Sequence, residues 1–166
     1  HMTPHSSVRA QNQVLAALPA AEWRLLEPHL EWVELPPGAM LYEAGVVLQR
    51  VYLPATAIGS LVSSMKDGAS AEVAVVGNEG VVGVAAFMGG GRALSSAVVH
   101  SAGQALRITA ESIACCAWQS ESIMQQLLRY TQALFTHMAH TSACNGHHAL
   151  DQNLGRWLLL NLDRRD

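Results

Sequence analysis

Hydrophobic positions along the chain fall into three successive patterns. Near the N-terminus Val14, Leu15 and Leu18 recur at helical spacing behind Asn12, a residue type that caps helices. Pro19 then opens a second helical piece over residues 20–26, which Pro28 ends. From residue 31 the period shortens to two. Residues 31–35 alternate and stop at Pro36-Pro37-Gly38, and short apolar runs follow at 40–42, 50–53, 58–65, 71–76, 81–88, 94–101 and 104–108. Asp67-Gly68 between two of these runs is a hairpin signal, because both residue types accept the positive φ of a tight turn. Eight short runs separated by turn residues predict antiparallel strands in a sandwich or barrel.

Beyond residue 108 the period becomes helical again. Thr109 is placed to cap a short helix containing Ile113, Cys116 and Ala117, and Ser120 or Ser122 to cap a long one. On the long helix Ile123, Leu127, Tyr130, Leu134, Met138 and Thr141 recur at spacings of four, three, four, four and three, close to a heptad seam. A seam ending in polar Thr141, Asn145 and His148 predicts a helix that pairs with its own copy across those six residues. A further helix is expected over residues 151–162, and the chain stops just after it, at Asp163-Arg164-Arg165-Asp166, as though cut.

Composition narrows the class. The chain has 166 residues, half of them hydrophobic and 14% charged, so it can bury a sizeable core and is not intrinsically disordered. Its apolar runs are far shorter than the ~20 residues of a membrane span, and no apolar leader opens it. His1-Met2 reads as a remnant of tag cleavage. Ten Lys+Arg against thirteen Asp+Glu give a net charge of −3, which argues against strong binding of nucleic acid by this piece alone. Cys115, Cys116 and Cys144 form no disulfide framework, as expected of a protein of the reducing cytoplasm.

Several short segments carry a resemblance. Leu18-Pro19, Pro37-Gly38, Gly45 after Tyr42-Glu43, Asp67-Gly68, Gly77-Asn78-Glu79-Gly80 with Val82-Gly83, Gly103-Gln104-Ala105 and Gly155-Arg156-Trp157-Leu158-Leu159 occur in a definite order. In that order the chain, from Gln11 to Arg164, resembles the sensor half of bacterial transcription regulators of the Crp/Fnr family. The resemblance implies a mainly β fold with flanking helices, a cyclic-nucleotide-binding-type jelly roll (a double-stranded β-helix). It would occupy residues 11–118 behind a disordered stretch at 1–10. Residues 119–148 would be a dimerisation helix. Residues 149–166 would begin a winged helix-turn-helix domain, through which alone such a homodimer meets DNA. No enzyme activity is implied.

The ligand cassette departs from that pattern. In nucleotide-binding members a Gly-Glu pair offers a carboxylate to the ribose, and an Arg-Ser/Thr-Ala triplet pairs guanidinium with the cyclic phosphate. Here Gly83 is followed by Val84 and Ala85, and Ser95-Ser96-Ala97 puts Ser95 at the arginine position. Both charged positions are lost, so cyclic AMP is not expected to bind tightly, and no cofactor is identified. An unpaired buried phosphate forfeits its solvation. Arg92, three residues upstream on the Gly-rich loop, is the candidate replacement cation. Thr141-Ser142 resembles the hydroxyl pair that touches the adenine base, although such residues also occur as ordinary polarity at helix seams.

One other constellation is chemically suggestive. His137, His140, Cys144 and His147 follow one another at spacings of three, four and three, on one face of the long helix. Imidazole and thiolate bind zinc, haem or iron, so a metal- or haem-binding redox sensor is an alternative function. The competing reading is helix-end histidines near the negative end of the dipole. A ligand-free interaction module is a third possibility. No cysteine precedes Cys115, which excludes the family's iron–sulfur subclass.

Overall fold

Asn12 begins the first helix through its side chain. The structure, a computed structural model, describes residues 8–145. Helix α1 (Gln13–Ala16) is capped by Asn12, whose Oδ1 accepts from the N–H groups of Val14 and Leu15 at 3.0 and 3.3 Å. Helix α2 (Ala20–Leu26) follows Pro19, and a 3-10 turn at Glu27–His29 containing Pro28 ends it. Val14, Leu15, Leu18, Trp23 and Leu26 all turn inward.

Seven strands follow: β1 (Glu31–Leu35), β2 (Met40–Tyr42), β3 (Arg50–Pro54), β4 (Ile58–Ser64), β5 (Ser70–Val76), β6 (Ser96–Ser101) and β7 (Gly103–Thr109). They form two antiparallel sheets, ordered β1-β7-β3 and β2-β6-β4-β5. Val51, Leu53, Leu106 and Ile108 from the first meet Leu61, Val73, Val76 and Ala97 from the second in one apolar core. This is the jelly roll with flanking helices that the resemblance implies. The hairpin at Asp67-Gly68 is also where it was expected. There Gly68 N–H donates to Met65 O at 3.1 Å, and Asp67 Oδ1 accepts from Ala69 N–H at 3.0 Å.

One expected strand is absent. Residues 81–88 make a single bridge, between Val82 and Tyr52, and then turn into a 3-10 helix at Val84–Phe87. Gly83 redirects the chain at φ +114°, in the left-handed region that side chains other than glycine rarely enter. A Cβ there would also press on Val51 Cγ2 at 3.3 Å. An apolar run of eight cannot by itself tell a buried strand from a buried turn.

Thr109 caps α3 (Ala110–Gln119), its Oγ1 accepting from Ser112 N–H at 3.1 Å. Ser120, rather than Ser122, caps the long helix α4 (Glu121–Asn145), its Oγ accepting from Ile123 N–H at 3.3 Å. The orientation of α4 corrects the sequence reading. Ile123, Leu127, Leu134 and Met138, expected on the seam facing a second copy, are 0%, 3%, 5% and 1% exposed and belong to the core of their own roll. Tyr130 packs against the same core. The periodicity was that of a helix on a domain, whose period of 3.6 differs little from a heptad over five turns. The free face of α4 instead carries Leu128, Arg129, Gln132, Ala133, Thr136, Ala139 and His140. Among the described residues no helix is long and apolar enough to cross a membrane. The helix expected at 151–162 lies outside the described residues.

Candidate functional site

The cassette is built where β3, the 3-10 turn and the start of β6 converge. Gly83 gives its backbone to the turn. Val84 and Ala85 follow it into the interior, at 7% and 2% exposure. Ser95 is also buried, and its hydroxyl has no hydrogen bond among the described residues. Ser96 is half-buried and its Oγ accepts from Ala44 N–H at 3.1 Å, which ties the cassette to the loop after β2. Ala97 is fully buried, paired with Tyr42 on one side and Leu61 on the other.

Arg92 does not replace the missing guanidinium. Its side chain is exposed, and its Nη1 donates to the Gly45 carbonyl at 3.1 Å. The backbone holds it there: Leu48 N–H donates to Gly91 O at 2.7 Å, and Gly45 and Val46 exchange hydrogen bonds with Ala93 at 2.8 and 2.7 Å.

Between the cassette and α4 lies a cavity of about 20 Å³. It is lined by Tyr42, Leu48, Leu61, Val81, Gly83, Val84, Ala85, Ala93, Leu94, Leu134 and Phe135. That is room for roughly one water molecule. No charged side chain lines it, and Leu134 and Phe135 of α4 form part of its wall. Tyr42 supplies the one side-chain polar group of the lining. Burial pushes its phenol well above the usual tyrosine range, with Tyr130 and Tyr52 adding to the shift.

A second junction lies beside the cavity, in the turn at residues 77–80 that leads into the cassette. Asn12, fully buried, donates through Nδ2 to Gly80 O at 3.0 Å and to Pro54 O at 2.9 Å. Gln13 N–H donates to Asn78 O at 2.8 Å, so α1 is fastened to this turn twice. The phenol of Tyr130 on α4 lies against Gly80, where a methyl group would overlap it. The Val81 N–H donates to the Tyr130 hydroxyl, while burial and the nearby Glu79 carboxylate raise its pKa. Sequence reasoning registered Gly80 only as part of a motif and Tyr130 only as a seam residue. Their complementarity has no signature in one sequence, since contacts fifty residues apart leave no periodicity.

The remaining expected residues are scattered. Thr141 is half-buried on α4. Ser142 and Cys144 lie on the last turn of α4, and their side chains, like His147 altogether, are outside the described residues. His137 and His140 are exposed and flank an open groove of about 540 Å³ with Arg129, Gln132, Ala133 and Thr136. Among the described residues no three His, Cys, Asp or Glu side chains come together as metal ligands. Of the vicinal cysteines, Cys116 is buried and Cys115 exposed.

Comparison with known proteins agrees with this geometry. The regulatory subunit of a cAMP-independent protein kinase A from Trypanosoma brucei superposes with a TM-score of 0.67 at 18% identity, over 78% of this chain and 46% of that one. The chain thus spans about half the length of that relative. The superposed structure is a triple mutant, one substitution of which brings in an arginine, bound to cAMP in the A site. A cyclic nucleotide-binding domain from Methylobacillus flagellatus gives 0.70 at 13% identity, covering 85% and 83% of the two chains. The N-terminal domain of a transcriptional regulator from Streptomyces coelicolor gives 0.57 at 21%, covering 81% and 94%. At such identities these likenesses show the fold. No curated protein matches the chain by sequence. Residues 32–116, just over half of the chain, match the description of one family. They run from β1 into α3 and enclose the whole cassette, and the chain therefore belongs to the cyclic nucleotide-binding domain family.

Proposed function

We propose that the chain is the sensory module of a bacterial transcription regulator of the Crp/Fnr type, cytoplasmic and without catalytic activity, whose cassette no longer takes cyclic AMP. The observation that carries this reading is the cassette itself. Val84 and Ser95 stand where the family places its carboxylate and guanidinium, both are buried, and the cavity that Val84 lines has no charged wall. The Streptomyces neighbour, an N-terminal regulator domain of nearly the same extent, supports the transcriptional role. The Trypanosoma subunit supports a roll that has left cyclic AMP behind, its cAMP-bound form being a mutant that gained an arginine. DNA contact in this reading belongs to a helix-turn-helix domain that residues 149–166 would begin.

Calorimetric titration tests the cassette. A lost charged contact costs about 2–5 kcal/mol, and a ribose hydroxyl left against an apolar side chain about 1–3 more. Together these push a micromolar site into the millimolar range or beyond. Sub-millimolar cyclic AMP is therefore expected to give no saturable heat. A saturable isotherm at low micromolar concentration, abolished by Arg92→Ala, overturns the reading.

The module is a homodimer in this reading, joined through the free face of α4. Leu128, 46% exposed and one helical turn before the groove at Gln132 and Thr136, is its apolar centre. Leu128→Glu is expected to yield a folded monomer in sedimentation with the thermal midpoint nearly unchanged, because the side chain has little to lose within its own chain. A Leu128→Glu protein that sediments as a dimer refutes this face.

A further inference from the structure

The cassette cavity is small and walled by the chain's own apolar side chains, and that wall indicates what it can take. We propose that the cassette takes a small uncharged, mainly apolar molecule with one hydrogen-bonding group, and that this molecule enters by displacing Leu134 and Phe135, lifting the distal half of α4 from the roll. The inference rests on the reading of the cassette as a regulatory site without cyclic nucleotide.

Four observations support it. The first is volume: about 20 Å³ remains beneath α4, so nothing larger than water fits while the helix is docked. The second is chemistry. The α4 side chains of the wall are an isobutyl group and a benzyl group, and the rest of the wall includes Leu48, Leu61, Val81, Val84, Ala93 and Leu94. A charged ligand would lose its solvation there without a counter-charge. The third is polar capacity. Tyr42, whose hydroxyl has no hydrogen bond among the described residues, is the lining residue with a polar side chain, and the Ser95 hydroxyl, next in the chain to the lining residue Leu94, is buried with none. A pocket of apolar walls with one or two polar groups to orient the guest is the ordinary design of a small-molecule site.

The fourth observation is mechanical. Tyr130 on Gly80 divides α4 in two. Before it, Ile123 and Leu127 pack on Val14, Leu15, Leu18 and Leu26 of the helical lid. After it, Leu134 and Phe135 cover the cassette. A guest in the cavity competes with the second half only, so α4 turns about the Tyr130 contact. The sign is then the reverse of a helix that closes over its ligand. A ligand shifts an equilibrium only by its differential affinity for the two states, and here the docked state has no room for it.

Indole serves as the probe, being uncharged, apolar and provided with one N–H. Calorimetry of the chain with indole is expected to give saturable binding in the millimolar range or tighter. Amide hydrogen exchange at saturating indole is expected to quicken about tenfold or more across residues 134–141 and to stay unchanged across residues 121–131. Tyr42→Phe is expected to weaken indole about five- to tenfold, the worth of one hydrogen bond. Phe135→Ala, half-buried and mild for the fold, is expected to strengthen it, as is Leu134→Ala where that variant folds. No saturable indole heat, slower exchange at 134–141 with indole, or affinities indifferent to both Tyr42→Phe and Phe135→Ala would each overturn the proposal. The two readings fail separately: micromolar cyclic AMP binding removes the proposed function, whereas silence toward both cyclic AMP and indole removes only this inference.

Discussion

The two halves of α4 are buried to the same degree and held in different ways. Leu127 is 3% exposed and Leu134 5%, so area removed from water does not separate them. Beneath Leu127 lies a lid of two short helices with a gap of only about 10 Å³, and that lid is tied to the roll by the hydrogen bonds of Asn12 and Gln13. Beneath Leu134 lies the cassette, with a void of about 20 Å³ and no charged side chain in its lining. The hydrophobic term is non-directional and lets either half settle. Directional bonds hold the lid beneath the first half to the roll, whereas the second half rests on the apolar wall of the cassette. Burial thus states how much a helix has to lose by leaving, and the polar ties state where it leaves last.

Truncating the two leucines puts this contrast to its largest test. Leu127→Ala opens a cavity in a region that cannot collapse around it and is expected to cost about 3–4 kcal/mol in denaturant unfolding. Leu134→Ala enlarges a void whose cover can shift, and is expected to cost about 2 kcal/mol. Exchange should quicken along the whole helix in the first variant and only beyond Tyr130 in the second. Equal costs with equal spread would show that α4 moves as one body.

The seat between the halves is tested next. Gly80→Ala drives a methyl group into the Tyr130 ring, an overpacking expected to cost about 2–3 kcal/mol. In a chain of this size that lowers the melting temperature by about 4–12 °C. Tyr130→Ala alone removes ring and hydrogen bond together. In combination the two losses should fall short of additive by about 1 kcal/mol or more, because the methyl group then enters vacated space. Strict additivity in the double-mutant cycle would dissolve the seat.

Much of this was legible in the chain, and the boundary between legible and illegible has a physical cause. Local chemistry announces itself: Asn12, Thr109 and Ser120 cap the helices that follow them, and Asp67-Gly68 turns the hairpin. The losses at Val84 and Ser95 were visible because each is one residue type at one place in a motif. The direction α4 faces was not, because Ile123, Leu127, Leu134 and Met138 satisfy a helix on its own domain as well as a helix on its copy. Periodicity reports that a face is buried and is silent about what buries it. Residues 81–88 misled for the related reason that Gly83 alone decides between strand and turn. Tyr42 and Phe135 entered the cassette unannounced, brought to it by packing between distant segments.

The smallest expected effect is alkaline, and it separates the Tyr130 seat from the cassette through their two tyrosines. Burial raises the pKa of both Tyr42 and Tyr130 far above the ordinary value of 10.0. An unfolded tyrosine gives up its proton near pH 10.0, while these two keep theirs in the folded chain. The unfolded state therefore binds fewer protons above that pH, and stability, fully present below it, falls as the pH rises toward the folded values. The loss is about 1 kcal/mol for each tyrosine half a unit above the unfolded value. Tyr42→Phe should remove its share of the alkaline slope and leave neutral-pH stability unchanged, since its hydroxyl has no hydrogen bond among the described residues to forfeit. Tyr130→Phe should remove its share too, yet lower the stability at pH 7 by about 1 kcal/mol, because the Val81 N–H loses its acceptor. Urea unfolding of the three proteins at pH 7 and above pH 10 reads all four quantities. A neutral-pH cost at Tyr42 equal to that at Tyr130 would mean that the cassette holds α4 by a polar tie after all, and the distinction between the two halves would fail with it.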